Sequence, residues 1–114
     1  MRKDKILKTI GEVLSELPVD LGYVFGSFLD TDEFEDVDVA VLTSRNFSPY
    51  DTFKFSMQIA RELEKRIEPR LEFDVKILDS SPVHFQYEVI SKGKLVYCKN
   101  ELKRVKYEEK IIGA

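Results

Sequence analysis

The sequence predicts a small α/β protein of the α+β kind: one mixed β-sheet with helices packed mainly on one face. Three observations predict it. The chain has 114 residues, 43% hydrophobic and 34% charged, which suits one globular domain spanning 1–114 with a charged surface. Its apolar residues alternate between a helical period and a strand period. Turn and breaker residues, among them Pro18, Gly26, Pro49, Pro69 and Gly93, cut those stretches into short elements.

Ile6, Leu7, Ile10, Val13, Leu14 and Leu17 recur at helical spacing and predict an amphipathic helix over 3–16, stopped by Pro18. Residues 21–25 are apolar and aromatic and end at Gly26-Ser27, the pattern of a buried strand followed by a tight turn. An acidic loop follows over 30–36. Residues 37–42 are apolar apart from Asp38, as in a central strand covered on both faces. Pro49-Tyr50-Asp51 opens a second helix with Asp51 as N-cap, a buried stripe of Phe53, Met57, Ala60, Leu63 and Ile67, and an end at Pro69. Over 72–78, Phe73, Val75 and Ile77 face one side and Glu72, Asp74 and Lys76 the other. Ser81-Pro82 reads as N-cap and first residue of a third helix carrying Phe85, Val89 and Ile90. A turn over 91–94 and a strand over 95–97 precede a charged tail, whose Leu102, Val105, Ile111 and Ile112 are left as docking residues. The order is helix, strand, strand, helix, strand, helix, strand, helix.

The composition excludes several classes. There is no apolar signal core and no run near the ~20 apolar residues of a membrane span, so a cytoplasmic protein is expected. A net charge of −3 does not suit long DNA or RNA as the main ligand. Cys98, alone, suits a reducing compartment and reads as a small buried hydrophobe near a strand end. His84 is isolated and reads as a helix-start surface residue. The acidic loop fails the EF-hand pattern, because Glu35 stands where Gly is needed and Val41 where Glu is needed.

The candidate chemistry starts with Asp36 and Asp38. Strand alternation points both to one side, their Cα atoms roughly 6.5 Å apart. Two carboxylates at the start of an apolar strand repel each other and lose hydration, and a divalent cation relieves both effects. Mg²⁺ suits such a pair, since it takes oxygen ligands from one or two carboxylates and substrate phosphates. Gly26 permits a sharp turn and close approach of a ligand to the backbone, and Ser27 offers a hydroxyl and an N–H. If the strand of Asp74 neighbours that of Asp36 and Asp38, the three carboxylates can hold two metal ions.

Val24-Phe25-Gly26-Ser27, an eight-residue gap, Asp36-Val37-Asp38 and the later Phe73-Asp74-Val75 together resemble the minimal nucleotidyltransferases of the DNA polymerase beta superfamily. The resemblance runs from Leu21 to about Tyr97 and implies a nucleotidyltransferase-like fold. It implies Asp36 and Asp38 as metal ligands, Asp74 as a further ligand that positions or activates the acceptor hydroxyl, and Gly26 and Ser27 as the phosphate grip. The implied reaction is Mg²⁺-dependent transfer of AMP from ATP to a protein acceptor, with release of pyrophosphate. Family members of this size are often antitoxins paired with a HEPN-domain ribonuclease, so such a partner is implied; a homo-oligomer stays open. One departure stands out: family members often carry Arg or Lys shortly after Gly-Ser, whereas Asp30 to Asp38 hold six acidic residues and no basic one. Arg45, Lys54 or a partner's residue are the candidates to compensate. Two other readings stand beside transfer: an antitoxin that acts by occupying its toxin, and a nucleotide-binding regulator.

Overall fold

Asp38 and Asp74, 36 residues apart in sequence, lie side by side on neighbouring strands. The computed structural model, which describes residues 2–34, 36–68 and 70–113, shows how. The elements run α1 (Arg2–Ser15), β1 (Val19–Phe25), α2 (Ser27–Asp30), β2 (Asp36–Thr43), α3 (Pro49–Arg66), β3 (Glu72–Ile77), a 3-10 turn (Leu78–Ser80), α4 (Val83–Lys92), β4 (Lys94–Cys98) and α5 (Glu101–Ile112). The strands form one sheet in the order β3-β2-β1-β4. β1 is antiparallel to β2 and to β4, while β2 and β3 are parallel and joined through α3, the crossover that parallel strands need.

The larger core lies where α1 and α3 cover one face. Ile6, Ile10, Val13 and Leu14 of α1 and Phe55, Ile59 and Leu63 of α3 pack on Val37, Val39 and Val41 of β2 and Phe73, Val75 and Ile77 of β3. α1 lies close to β4, because Gly11 leaves room for the Val96 carbonyl where a Cβ would collide with it. The opposite face carries a smaller cluster of Leu21, Tyr23, Ala40, Leu78 and Val89, covered in part by α4 and α5. The helices are thus divided between the faces more evenly than the sequence suggests, with the weight of the core under α1 and α3.

α5 is held down by polar contacts. Lys103 pairs with the buried Asp20, which also accepts from Ser44 Oγ at 2.8 Å. Tyr23 donates to Glu108 Oε2 at 2.7 Å, and Tyr107 donates to Gln86 Oε1 at 2.6 Å. Ile111 is buried, whereas Leu102, Val105 and Ile112 stay exposed.

Four local expectations are corrected. The N-cap of α3 is Ser48, not Asp51: its Oγ accepts from the Asp51 N–H at 3.1 Å, and Pro49 occupies the first helical position. Of the expected stripe of α3, Leu63 and Ile67 are buried and Ala60 packs against the core, but Phe53 and Met57 are 64% and 44% exposed and Phe55 and Ile59 are buried in their place. Both rows are apolar at helical spacing; the stack of Phe55 on Phe47, 4.9 Å between centroids, goes with the observed one. Ser81 does not cap α4. Its Oγ donates back to the Ile77 carbonyl at 2.8 Å, closing the 3-10 turn, and α4 begins at Val83 after Pro82. β1 also starts earlier than expected, at Val19. Pro69 and Glu35 lie outside the described residues. Among the described residues no helix is long and apolar enough to cross a membrane.

Candidate active site

Three strand ends meet at the site: the end of β1, the start of β2 and the first half of β3. Strand alternation turns Val37, Val39 and Val41 into the larger core and Asp36 and Asp38 to the other face. The parallel register sets Asp38 opposite Asp74 and Asp36 opposite Glu72. Adjacent strands put the Cα atoms of Asp38 and Asp74 about 4.8 Å apart. The condition set by the sequence, that the two strands be neighbours, is met.

The electrostatics follow from this crowding. Burial, then the Asp74 carboxylate, then that of Asp36 push the Asp38 carboxyl above the ordinary carboxylate value, with Lys76 opposing. Asp74 pairs with Lys76 at 3.4 Å on an exposed part of the face. Among the described residues, no three carboxylate, His or Cys side chains are grouped as a ready metal cage. A cation bound by all three aspartates needs their side chains to converge, and the exposed Lys76 contact, made to Asp74 Oδ1 alone, is a weak restraint against that. A partly buried carboxylate beside two others, only partly offset by Lys76, has the chemistry to bind a hard divalent cation.

Gly26 closes the site from the β1 side. It is the one residue with positive φ among those described (φ 81°, ψ −162°), a conformation essentially reserved for glycine. A Cβ here would overlap Asp38 Oδ2, so the bare Cα is what lets the chain turn against the aspartate. Ser27, exposed, begins α2 directly after it. Gly26 also forms part of the wall of a cavity of about 350 Å³ between α2 and α4. Two larger cavities, about 590 and 620 Å³, lie away from the aspartates, so size does not mark the site.

The compensating cations suggested by the sequence sit elsewhere. Arg45 and Lys54 line a cavity with Pro18, past the far end of β2. The structure instead brings two other lysines to the site: Lys76, paired with Asp74, and Lys92, at the end of α4 on the cavity that Gly26 walls. Lys76 was within reach of sequence reasoning, two residues from Asp74 on the same strand face. Lys92 was not, since it approaches Gly26 only through the packing of α4. His84 is exposed. Cys98 is partly buried at the end of β4, where burial pushes its thiol pKa up and Sγ donates to Glu101 Oε2 at 3.5 Å, which does not suit a reactive thiol.

Residues 8–102 match the family model described as Polymerase beta, Nucleotidyltransferase. Among curated proteins none matches the chain. Several solved structures share the fold. A chain from the complex of the tri-AMPylated Shewanella oneidensis HEPN toxin with MNT antitoxin superposes with a TM-score of 0.70 at 19% identity, covering 97% of this chain and 84% of that one. A chain of the MntA–HepT toxin–antitoxin gives 0.68 at 19%, covering 96% and 84%. A chain of the toxin–antitoxin with AMP-PNP gives 0.68 at 20%, covering 99% and 86%. At these identities the likeness is one of fold.

Proposed function

The chain belongs to the polymerase beta nucleotidyltransferase family, and from that premise we propose that it transfers AMP from ATP to a protein acceptor, as the antitoxin of a HEPN-type toxin in the cytoplasm. Residues 1–114 act as one minimal nucleotidyltransferase domain. The observation that carries the reading is the register of Asp38 with Asp74, hard against the bare Cα of Gly26. The solved complexes of similar fold, with an AMPylated HEPN toxin and with AMP-PNP, support the choice of acceptor and nucleotide.

In this reading Asp36 and Asp38, joined by Asp74, hold Mg²⁺, which supplies positive charge against the phosphates when bound. Gly26 admits the polyphosphate to the backbone, and Ser27 donates its N–H and hydroxyl to phosphate oxygens. Asp74 accepts the proton of the acceptor hydroxyl. The hydroxyl oxygen bonds to the α-phosphorus, the bond between that phosphorus and the α–β bridging oxygen breaks, and pyrophosphate leaves. Lys76, displaced from Asp74, and Lys92 supply the cations missing after Ser27. Exposed Leu102, Val105 and Ile112 on α5 and Tyr50, Phe53 and Met57 on α3 offer apolar surface for a protein partner.

The test is label transfer. The chain, co-purified with a neighbouring-gene HEPN protein, is incubated with Mg²⁺ and α-labelled ATP. Transfer of label to the partner with release of pyrophosphate, lost in Asp38→Asn, is expected. No Mg²⁺-dependent nucleotide binding by the chain or its complex sinks the proposal. The six acidic residues of the 30–38 loop favour a second reading, neutralisation by contact, in which the complex forms and inhibits equally well with Asp36→Asn. Binding of ATP without release of pyrophosphate would instead mark a regulator.

A further inference from the structure

The cavity beside Gly26 has walls unlike those of a phosphate site. Phe25 and Phe85 meet edge to face with centroids 5.5 Å apart, and Leu29 adds apolar surface. The carboxylates of Asp30 and Glu88 outnumber Lys92, the cation on this lining. Two carboxylates repel a polyphosphate but accept hydrogen bonds from hydroxyl and amino groups. The volume, about 350 Å³, falls within the range of small-ligand pockets, which are mostly apolar with a few placed polar groups.

We propose that this cavity holds the nucleoside half of the substrate, with the base against Phe25 and Phe85 and ribose hydroxyls on Asp30 or Glu88. The proposal rests on the nucleotidyltransferase reading above, which sets the phosphates at Gly26 and the aspartates and leaves the adjoining cavity for the nucleoside. Direction along the cavity follows from α4. Gly93 packs so tightly on β1 that a Cβ there would touch the Val24 carbonyl and Phe25, so the end of α4, with Lys92, lies beside the end of β1 that leads into Gly26. Phe85 lies two turns back towards the start of the helix, at the base end. Carboxylate recognition of a ribose hydroxyl has precedent in dinucleotide-binding folds. It makes the site selective for ribonucleotides over deoxyribonucleotides.

Calorimetric titration of the full chain with Mg²⁺-ATP, Mg²⁺-dATP and Mg²⁺-tripolyphosphate tests this. Wild type should bind ATP more tightly than tripolyphosphate. Phe85→Ala should weaken ATP roughly tenfold or more and leave tripolyphosphate unchanged, since loss of an aromatic stacking partner is worth about that much. Glu88→Gln or Asp30→Asn, both at exposed positions, should bring the ATP-to-dATP affinity ratio towards one. These two variants keep the test sharp if Phe85→Ala folds poorly. Wild type that binds ATP no better than tripolyphosphate overturns the proposal alone. So do variants that leave ATP affinity and the ATP-to-dATP ratio untouched, or that weaken ATP and tripolyphosphate alike. Wild type that binds neither ligand overturns the proposal together with the reading beneath it.

Discussion

Gly26→Ala is expected to damage stability and ligand binding together. At φ 81° and ψ −162° an L-residue sits in a region that costs of order 1–3 kcal/mol. The new methyl also overlaps Asp38 Oδ2, so either the carboxylate or the turn must move. Taking about 2 kcal/mol, and the sensitivity of a domain this size, the melting temperature should drop by roughly 6–12 °C. Mg²⁺-dependent ATP binding should fall further than stability explains, because the displaced group is the carboxylate that faces the other two aspartates. The double variant Gly26→Ala/Asp38→Ala separates the two causes. It removes the overlap but keeps the backbone strain, so the double variant should be more stable than the sum of the two single changes gives. The assays are thermal unfolding and calorimetry. If Gly26→Ala melts within about 2 °C of wild type and binds Mg²⁺-ATP normally, residue 26 does not hold this conformation against Asp38.

Three other outcomes are expected. Ile59→Ala, at a fully buried position, should cost about 2–5 kcal/mol in urea unfolding, whereas Phe53→Ser and Met57→Ser should stay within about 0.5 kcal/mol of wild type; equal losses would mean that α3 is rotated. Lys103→Met leaves the buried Asp20 with Ser44 as its remaining side-chain partner and should cost about 1–3 kcal/mol, with Asp20→Asn/Lys103→Met recovering part of it; additive losses would refute the pairing. Burial and the Glu108 contact hold the Tyr23 hydroxyl protonated well above its ordinary range, while an unfolded tyrosine ionises near pH 10. Tyr23's contribution is therefore unchanged below pH 10, and above it this group lowers stability by about 1.4 kcal/mol per pH unit, a share that Tyr23→Phe should remove from unfolding curves at pH 10–11.5.

What the sequence made legible was periodic or adjacent. The strand of Asp36 and Asp38 and the alternation around Asp74 follow from side-chain period alone, and so does the common direction of Asp36 and Asp38. Gly26 stood out because a glycine at a strand end has few other uses. What escaped depends on packing between distant residues. Asp20 was left outside β1 because a buried carboxylate needs a partner, and that partner, Lys103, lies 83 residues away. α3 carries two apolar rows, and spacing alone does not choose between them. Lys92 reaches the Gly26 cavity only because α4 docks its end on β1.

The two faces of the sheet do different work, and the site depends on the difference. The face under α1 and α3 is closed by apolar residues and carries most of the core, so the other face need not be fully covered. There α4 and α5 lie over β1, leaving the β2–β3 half with Asp36, Asp38 and Asp74 on its surface. In the free chain that arrangement is unfavourable, since burial and two like charges push the Asp38 carboxyl above its ordinary value. On the proposed function a cation and phosphates would relieve in one step what the fold has left unrelieved, linking ligand binding and stability through Asp38. Asp38→Asn should accordingly melt higher than wild type without ligand and gain nothing from Mg²⁺-ATP, whereas wild type gains. A wild type indifferent to Mg²⁺-ATP, or an asparagine variant less stable than the unliganded wild type, would break this link.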